Sequence, residues 1–426
     1  ARVWPLVMHN QNTESNGFVT LAPRRSEWFN TPPQTGLIGV NPWYHVLAVH
    51  EFRHMVQIDA ARTGLTKWLY YILGDAGHLA GAFFSLPAWV WEGDATVNET
   101  LLTRSGRGRM PEFTMPIRTL LLNDQRYSYY KMMFGSYRNW SANPYEFGYL
   151  MISHVRRQYG ADMWPAVIRR TQLFSLLPYN FTWSMRRKTG HSSQATYQQA
   201  MDALLRDWRW QAENTPTTNH QRLSRPGRFT THYLYPQSWS DSSVVVLKYG
   251  FGDRLSLSEI KYDGHERVLH LPGNIFTDPI SVTHEKIFWY EKQPDPRWGY
   301  RDHTVIKCYD RMTRQVRRIG RPGKWAAPSP APDGSRIAVV EYTPANQCRL
   351  VILDANTGAE LKQLENPDNA FLMTPRWSED GQRILLNRLT AQGRSLSIYE
   401  VESGSITDLV PCGNENTAVP VFYGDY

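Results

Sequence analysis

The sequence predicts an α+β chain of two domains, a mainly helical first half with a small N-terminal β-sheet followed by an all-β propeller. Three observations predict it. Capped, helix-period apolar patterns fill most of residues 41–213, and Pro-anchored strand units follow whose anchors lie 43, 49 and 47 residues apart. Between them lies a polar stretch, Thr215-Pro216-Thr217-Thr218-Asn219, where the periodicity changes. The domain boundaries are therefore 1–214, a linker over 215–227, and 228–426.

Composition supports packed cores and excludes some partners. At 426 residues, 41% hydrophobic and 13% aromatic, the chain can fill more than one core. No apolar run approaches the roughly 18 residues of a membrane span, so no transmembrane segment is expected. The net charge is +8, yet acids and bases alternate through most of the chain, and no Lys/Arg stripe interleaves with aromatics on one element. Nucleic acid is therefore not an expected partner. Cys308, Cys348 and Cys412 fit no zinc knuckle or redox pair, and an odd count leaves at least one thiol free. The opening ARVWPLVMHN is not a signal peptide, and Ala1 can follow a segment already removed.

In chain order, residues 1–40 read as extended, with short apolar strands at Val3–Met8 and Gly17–Leu21. Asn41 suits an N-cap and Pro42 the first helical position of the stretch that follows, which runs at least through Gln57. That helix contains His50-Glu51-Phe52-Arg53-His54. Residues four apart share a helix face, so both imidazoles can reach one metal ion, while Glu51 lies about 100° further round, near enough to touch the attacking water. Two imidazoles and a carboxylate suit Zn2+ hydrolysis. A third protein ligand is then required.

Residues 60–86 read as a helix-plus-loop excursion, for which the 37 residues between His54 and Glu92 leave room. A second helix follows, from near Pro87 through Leu102, and holds Trp89-Val90-Trp91-Glu92-Gly93-Asp94-Ala95. These residues resemble the gluzincin metallopeptidases of the MA clan, in particular the aminopeptidase-N-like branch, whose third zinc ligand is the Glu of a W-x-x-E-G-x-A segment. The resemblance implies a zincin-type domain in which His50, His54 and Glu92 bind zinc and Glu51 is the general base. Glu99, two turns beyond Glu92 on the same face, can hydrogen-bond a ligand imidazole or be a solvated helix acid. Residues 104–143 read as loop-rich, with Tyr127–Tyr130 and Trp140 as exposed or cleft-lining aromatics, and Arg104, Arg107 and Arg109 either help bind an acidic substrate group or are solvated.

The segment Pro144-Tyr145-Glu146-Phe147-Gly148 resembles the same branch's P-Y-E-x-G, which implies that Tyr145 stabilises an oxyanion, with Tyr149 one turn on as the alternative. Helices are expected over Tyr145–Tyr159, Met163–Leu173 and Ala195–Glu213. The chain departs from the branch at Ser15–Thr20, where the acidic residue that holds a substrate amine is missing. An endopeptidase is therefore favoured over an aminopeptidase. The strand at Gly17, Phe18 and Val19 can pair with a bound peptide, or be an ordinary sheet strand.

Beyond residue 228 the units begin near Pro236, Pro279, Pro328 and Pro375. Asp333-Gly334 and Asp380-Gly381 each precede an apolar strand, as a tight hairpin requires. The repeats resemble TolB-like and WD40-like propellers, in about four blades with a further anchor at Pro420. Four blades and the start of another do not close a typical ring, so the chain is expected to continue past Tyr426 or to be closed by something else. Asp302-His303 reads as a blade turn.

The expected function is zinc-dependent peptide hydrolysis on a peptide or protein substrate, with the propeller presenting substrate or a partner. The resemblance implies an exported bacterial protein, periplasmic, outer-membrane-associated or secreted. A non-catalytic scaffold of a cell-envelope assembly, binding through its propeller, is the alternative from another class. A zinc hydrolase of a non-peptide amide or epoxide is the third.

Overall fold

A computed structural model describes residues 3–34, 38–275 and 278–423. The chain forms two compact units. One comprises Ala1–Val7, Gly17–Trp28 and Trp43–Asn219, the other Met8–Asn16, Phe29–Pro42 and His220–Tyr426. Residues 8–16 and 29–42, which the sequence reading places within 1–214, thus cluster with the β-rich unit.

Strands β1 (Leu6–His9), β2 (Gly17–Leu21) and β3 (Arg24–Phe29) form a sheet in the order β1-β3-β2, leaving β2 outermost. Helix α1 spans Trp43–Ala61, beginning one residue later than Pro42. The excursion is two helical segments, together α2 (Gly64–Ser85), joined across a kink at Gly74, whose φ of 62° is readily adopted only by glycine. Next come α3 (Ala88–Leu102), α4 (Pro111–Leu122) and α5 (Tyr129–Phe134). The last two replace the expected loop. Tyr129 is buried there and its hydroxyl accepts from Trp89 Nε1 at 3.2 Å, so it belongs to the core and not to a cleft.

Helix α6 (Pro144–Tyr159) has the strongest local start signal. The Asn143 side chain accepts from the Tyr145 and Glu146 amides at 3.0 Å, and Glu146 accepts from the Asn143 amide at 3.2 Å. Together they close a capping box. Helices α7 (Met163–Leu173), α8 (Asn180–Thr189) and α9 (Ser193–Glu213) complete the unit. Its core gathers Trp89, Phe147, Trp164, Phe181 and Tyr197. At the centre α3 crosses α6 with glycine facing glycine: a Cβ on Gly148 would lie 2.0 Å from the Trp89 carbonyl oxygen, and one on Gly93 would lie 2.2 Å from the Gly148 carbonyl carbon. Backbone can approach this closely only where both side chains are absent.

The second unit contains four antiparallel four-stranded sheets, the blades of a propeller-like domain: β4–β7 (Thr231–His270), β8–β11 (Ser281–Gly323), β12–β15 (Trp325–Leu364) and β16–β19 (Phe371–Gly413). Three first strands carry the same irregularity. Tyr235, Ala327 and Thr374 have φ of 52°, 47° and 48°, each precedes the anchoring proline, and the register slips at each site. These are β-bulges, which let a residue without an N–H sit inside a paired strand. Val419 before Pro420 repeats the conformation at 49°, although no strand forms there. Gly334 and Gly381 turn at φ of 68° and 66°, as the D-G hairpins require. Asp302 starts strand β10 (Asp302–Asp310) and so does not lie in a turn. All three cysteines are free. No helix among the described residues is long and apolar enough to cross a membrane.

The two N-terminal segments of this unit are hydrogen-bonded into the blades. The Thr13 amide donates to Asp302 Oδ1 at 2.6 Å, Lys292 pairs with Glu14 at 2.9 Å, and Gln34 Nε2 donates to the Leu372 carbonyl at 3.0 Å while its Oε1 accepts from the Thr374 amide at 3.0 Å. With Asp278, Tyr290 and Lys324 they line a cavity of about 450 Å³. Burial pushes the Asp278 carboxyl up to about 6, against the lowering effect of the Tyr290 hydroxyl that donates to it. A raised acid pKa means the folded chain binds this proton more tightly, so stability from the group is full below about pH 4 and lost as pH rises through 6. Allowing for remaining solvent contact, the loss is about 1–2 kcal/mol. Asp278→Asn should therefore flatten the urea-midpoint difference between pH 4 and 7 relative to the parent chain.

Candidate metal centre

Helix α1 presents His50 and His54 on one face, with Nε2 atoms 3.1 Å apart. Glu92 comes from α3, and its Oε2 lies 3.4 Å from each of those nitrogens. A tetrahedral ion bound at 2.0–2.2 Å needs ligand separations of about 3.3–3.6 Å, so the triangle has the right size for one. Glu92 Oε2 is buried and has no hydrogen-bond donor. Such an atom has a desolvation cost that a cation would offset. Despite burial, the two imidazoles hold the Glu92 carboxyl well below its usual range. The donors, two imidazoles and a carboxylate, suit zinc.

Glu51 is buried beside this triangle, and its Oε2 has no hydrogen-bond partner. Burial raises its pKa, against the pull of His50 and His54. Strand β2 passes alongside: a Cβ on Gly17 would lie 2.6 Å from Leu47 Cδ2 and 3.1 Å from Glu51 Oε1. A side chain here would require the ends of the Leu47 and Glu51 side chains to move aside. Phe18 and Val19 pair with Glu27 and Ser26 of β3, and Val19 packs on the core, so of these three residues it is Gly17 that reaches the site.

Tyr145 lies two residues after the α6 cap, Asn143, and its ring stacks at 5.9 Å from the His50 ring. Burial and the Glu92 carboxylate push its phenol up, which keeps it a hydrogen-bond donor. The α3–α6 glycine contact sets this placement, because Glu92 precedes Gly93 and Tyr145 lies one turn before Gly148. Tyr149 instead packs on Gly108 and the Phe113 ring.

Glu99 is buried with Oε2 3.4 Å from His50 Nδ1. A metal on Nε2 requires the Nδ1–H tautomer, for which Glu99 is the acceptor. The sequence offers Arg107 to an acidic substrate group or to solvent, and the structure gives it to the buried Glu99 instead. Its NH2 group donates to Glu99 Oε2 at 2.8 Å and its amide to Oε1 at 3.0 Å, while the guanidinium lies 4.8 Å over the Tyr145 ring. The Arg104–Arg109 stretch thus turns this arginine inward onto Glu99. Against burial, Arg107 and His50 hold the Glu99 carboxyl down at about 2. The same NH2 group lies 2.9 Å from His50 Nδ1, so it competes for that nitrogen whenever the nitrogen is unprotonated. With zinc held in the triangle, Glu99→Gln should weaken its binding about 10- to 100-fold, read by chelator competition, since a neutral amide neither balances Arg107 nor supports the imidazole as well.

A second support chain holds His54. Its Nδ1 lies 2.8 Å from Gln57 Oε1, Gln57 Nε2 donates to Asp94 Oδ2 at 2.8 Å, and Arg53 Nε donates to the same oxygen at 2.6 Å. Gln57 stands one turn after His54 and Asp94 two residues after Glu92, a spacing visible in the sequence.

No protein-family model and no curated protein matches the chain. Solved structures are similar to part of it. TolB from Acinetobacter baumannii is 17% identical with a TM-score of 0.35, over 42% of this chain and 44% of that one. The putative TolB from Agrobacterium tumefaciens is 11% identical with a TM-score of 0.32, over 41% and 64%. Pyrococcus horikoshii acylaminoacyl peptidase is 11% identical with a TM-score of 0.26, over 32% and 24%. The chain thus spans less than two thirds of the length of each.

Proposed function

We propose that this protein is a zinc-dependent peptidase of gluzincin type, acting on internal peptide bonds in an exported setting. The observation that carries the reading is the triangle of His50, His54 and Glu92, 3.1–3.4 Å on a side, with the unpartnered Oε2 of Glu51 beside it. Zinc held there would polarise the scissile carbonyl and lower the pKa of the attacking water to about 7. Glu51 takes that water's proton and passes it to the leaving amine. Tyr145 donates its hydroxyl hydrogen to the oxyanion as charge develops, supported by Arg107 over its ring. The substrate runs along β2 past Gly17, and no acidic side chain between Gly17 and Leu21 is there to hold a free amine.

The test is metal analysis together with turnover on a mixed peptide library. One zinc per chain with internal cleavage supports the proposal. Metal without turnover favours the scaffold reading, in which the propeller-like unit binds an envelope partner. No bound metal removes both. Tyr145→Phe should lower kcat about 10²- to 10³-fold with little change in KM, because the missing hydroxyl acts only in the transition state.

A further inference from the structure

The second and third blades meet at a cavity of about 520 Å³ that lies wholly within the β-rich unit and takes no part in the peptidase reading. Its walls are strand ends: β10 starts at Asp302, β11 (Val316–Gly323) finishes at Gly323, β12 (Trp325–Pro330) starts at Trp325 and β13 (Arg336–Tyr342) finishes at Tyr342. Lys324 is therefore the single residue joining these two blades. Its Nζ donates to the Asn10 carbonyl at 3.1 Å, and Asn10 lines this cavity and not the one of about 450 Å³. Among the described residues this ammonium has no other hydrogen bond and no ion pair, and burial lowers its pKa to about 8 against the pull of Asp302. A cation so placed is short of acceptors, and an anion would offset its desolvation.

The other charges here are mostly paired. Asp302 accepts from the Thr13 amide and pairs with Lys292 at 3.1 Å, and Lys292 also holds Glu14. Glu341 lies 3.9 Å from Arg349, and Arg301 lies 3.6 Å from Asp295. Arg321 has neither an ion pair nor a side-chain hydrogen bond among the described residues, and it bears on Glu341 only through space. With His303 neutral, the lining groups and their ion-pair partners leave one positive charge over. Glu360, a further acid that bears on Glu341, is exposed and so screened. A monocarboxylate balances a single cation, whereas a phosphate dianion would bring more charge than the cavity matches. Pro322, Trp325 and Pro344 add apolar lining, and the volume suits a small organic molecule better than a bare ion.

We infer that this cavity binds a small organic monocarboxylate, with the carboxylate on Lys324 and Arg321 and the apolar body against Trp325 and the two prolines. The experiment is calorimetric titration of the whole chain with N-acetylphenylalanine, with its uncharged amide and with inorganic phosphate. The expected result is binding of the acid with a Kd of about 1 mM or tighter, and of the amide and phosphate at least about tenfold more weakly. Lys324→Gln should weaken the acid about tenfold and Arg321→Gln about threefold. Unchanged thermal melts show that the variants fold. If Lys324→Gln does not fold, Arg321→Gln supplies the answer, because Arg321 is exposed and its guanidinium holds no other element in place. Acetyl-Ala-Ala-Phe binding at least as tightly as N-acetylphenylalanine supports the site as one for peptide C-termini, and weaker binding supports it as one for single small acids. No binding of the acid, equal binding of acid and amide, tighter binding of phosphate, or unchanged binding to either folded variant overturns the inference. An acid bound instead at His50, His54 and Glu92 would give that last result, since both substitutions lie outside that triangle.

Discussion

Glu51→Gln is expected to lower peptide hydrolysis about 10²- to 10⁴-fold while zinc content stays at that of the parent chain. Gln matches the carboxylate in shape, so the neighbouring Leu47 and Gly17 contacts survive, but it cannot accept a proton. Glu51 is not a member of the His50–His54–Glu92 triangle, so the metal should be retained. Inductively coupled plasma metal analysis and single-turnover kinetics on the same preparation read both quantities. Retained activity would remove Glu51 from the proton transfers. Lost metal would instead make it a ligand.

Gly148→Ala is expected to destabilise the helical unit by about 3 kcal/mol or more. The new methyl would meet the Trp89 carbonyl oxygen at 2.0 Å and Gly93 Cα at 2.7 Å, and both are backbone atoms that cannot rotate aside. Helices α3 and α6 must then move apart, which carries Glu92 away from Tyr145. Stability and turnover should therefore fall together, unlike in Glu51→Gln. Gly299→Ala, at a position with nothing within 4 Å, should change stability by no more than about 0.5 kcal/mol in urea denaturation. An unchanged midpoint for Gly148→Ala would show that the two helices do not cross this closely.

The features legible from residues alone are those whose cause lies within about one helical turn or one hairpin. His50 and His54 share a face because of the helical repeat, α6 begins at Asn143 because its side chain and Glu146 satisfy the orphan amides, and the D-G pairs turn because glycine accepts positive φ. Glu99 stood two turns from Glu92 by the same arithmetic, but whether it faced an imidazole or solvent depended on where α1 lay. The helices α4 and α5 were hidden because Pro116 inside one and the shortness of the other weaken the periodic signal.

Other features depend on contacts between residues far apart in the chain, where no local pattern reports the partner. Two glycines 55 positions apart place Glu92 near Tyr145, and Arg107 turns inward because Glu99, eight residues earlier, offers a buried carboxylate. Gln34 bonds Leu372 across 338 residues, which makes residues 29–42 part of the β-rich unit despite their distance from it in the chain. Residues 60–86 read as a helix-plus-loop excursion, and only packing shows that Trp68 and Ile72 are left uncovered. Local propensity chooses the elements, while the packing of distant segments selects which side chains meet, because burial and hydrogen bonding reward proximity in space and not in sequence.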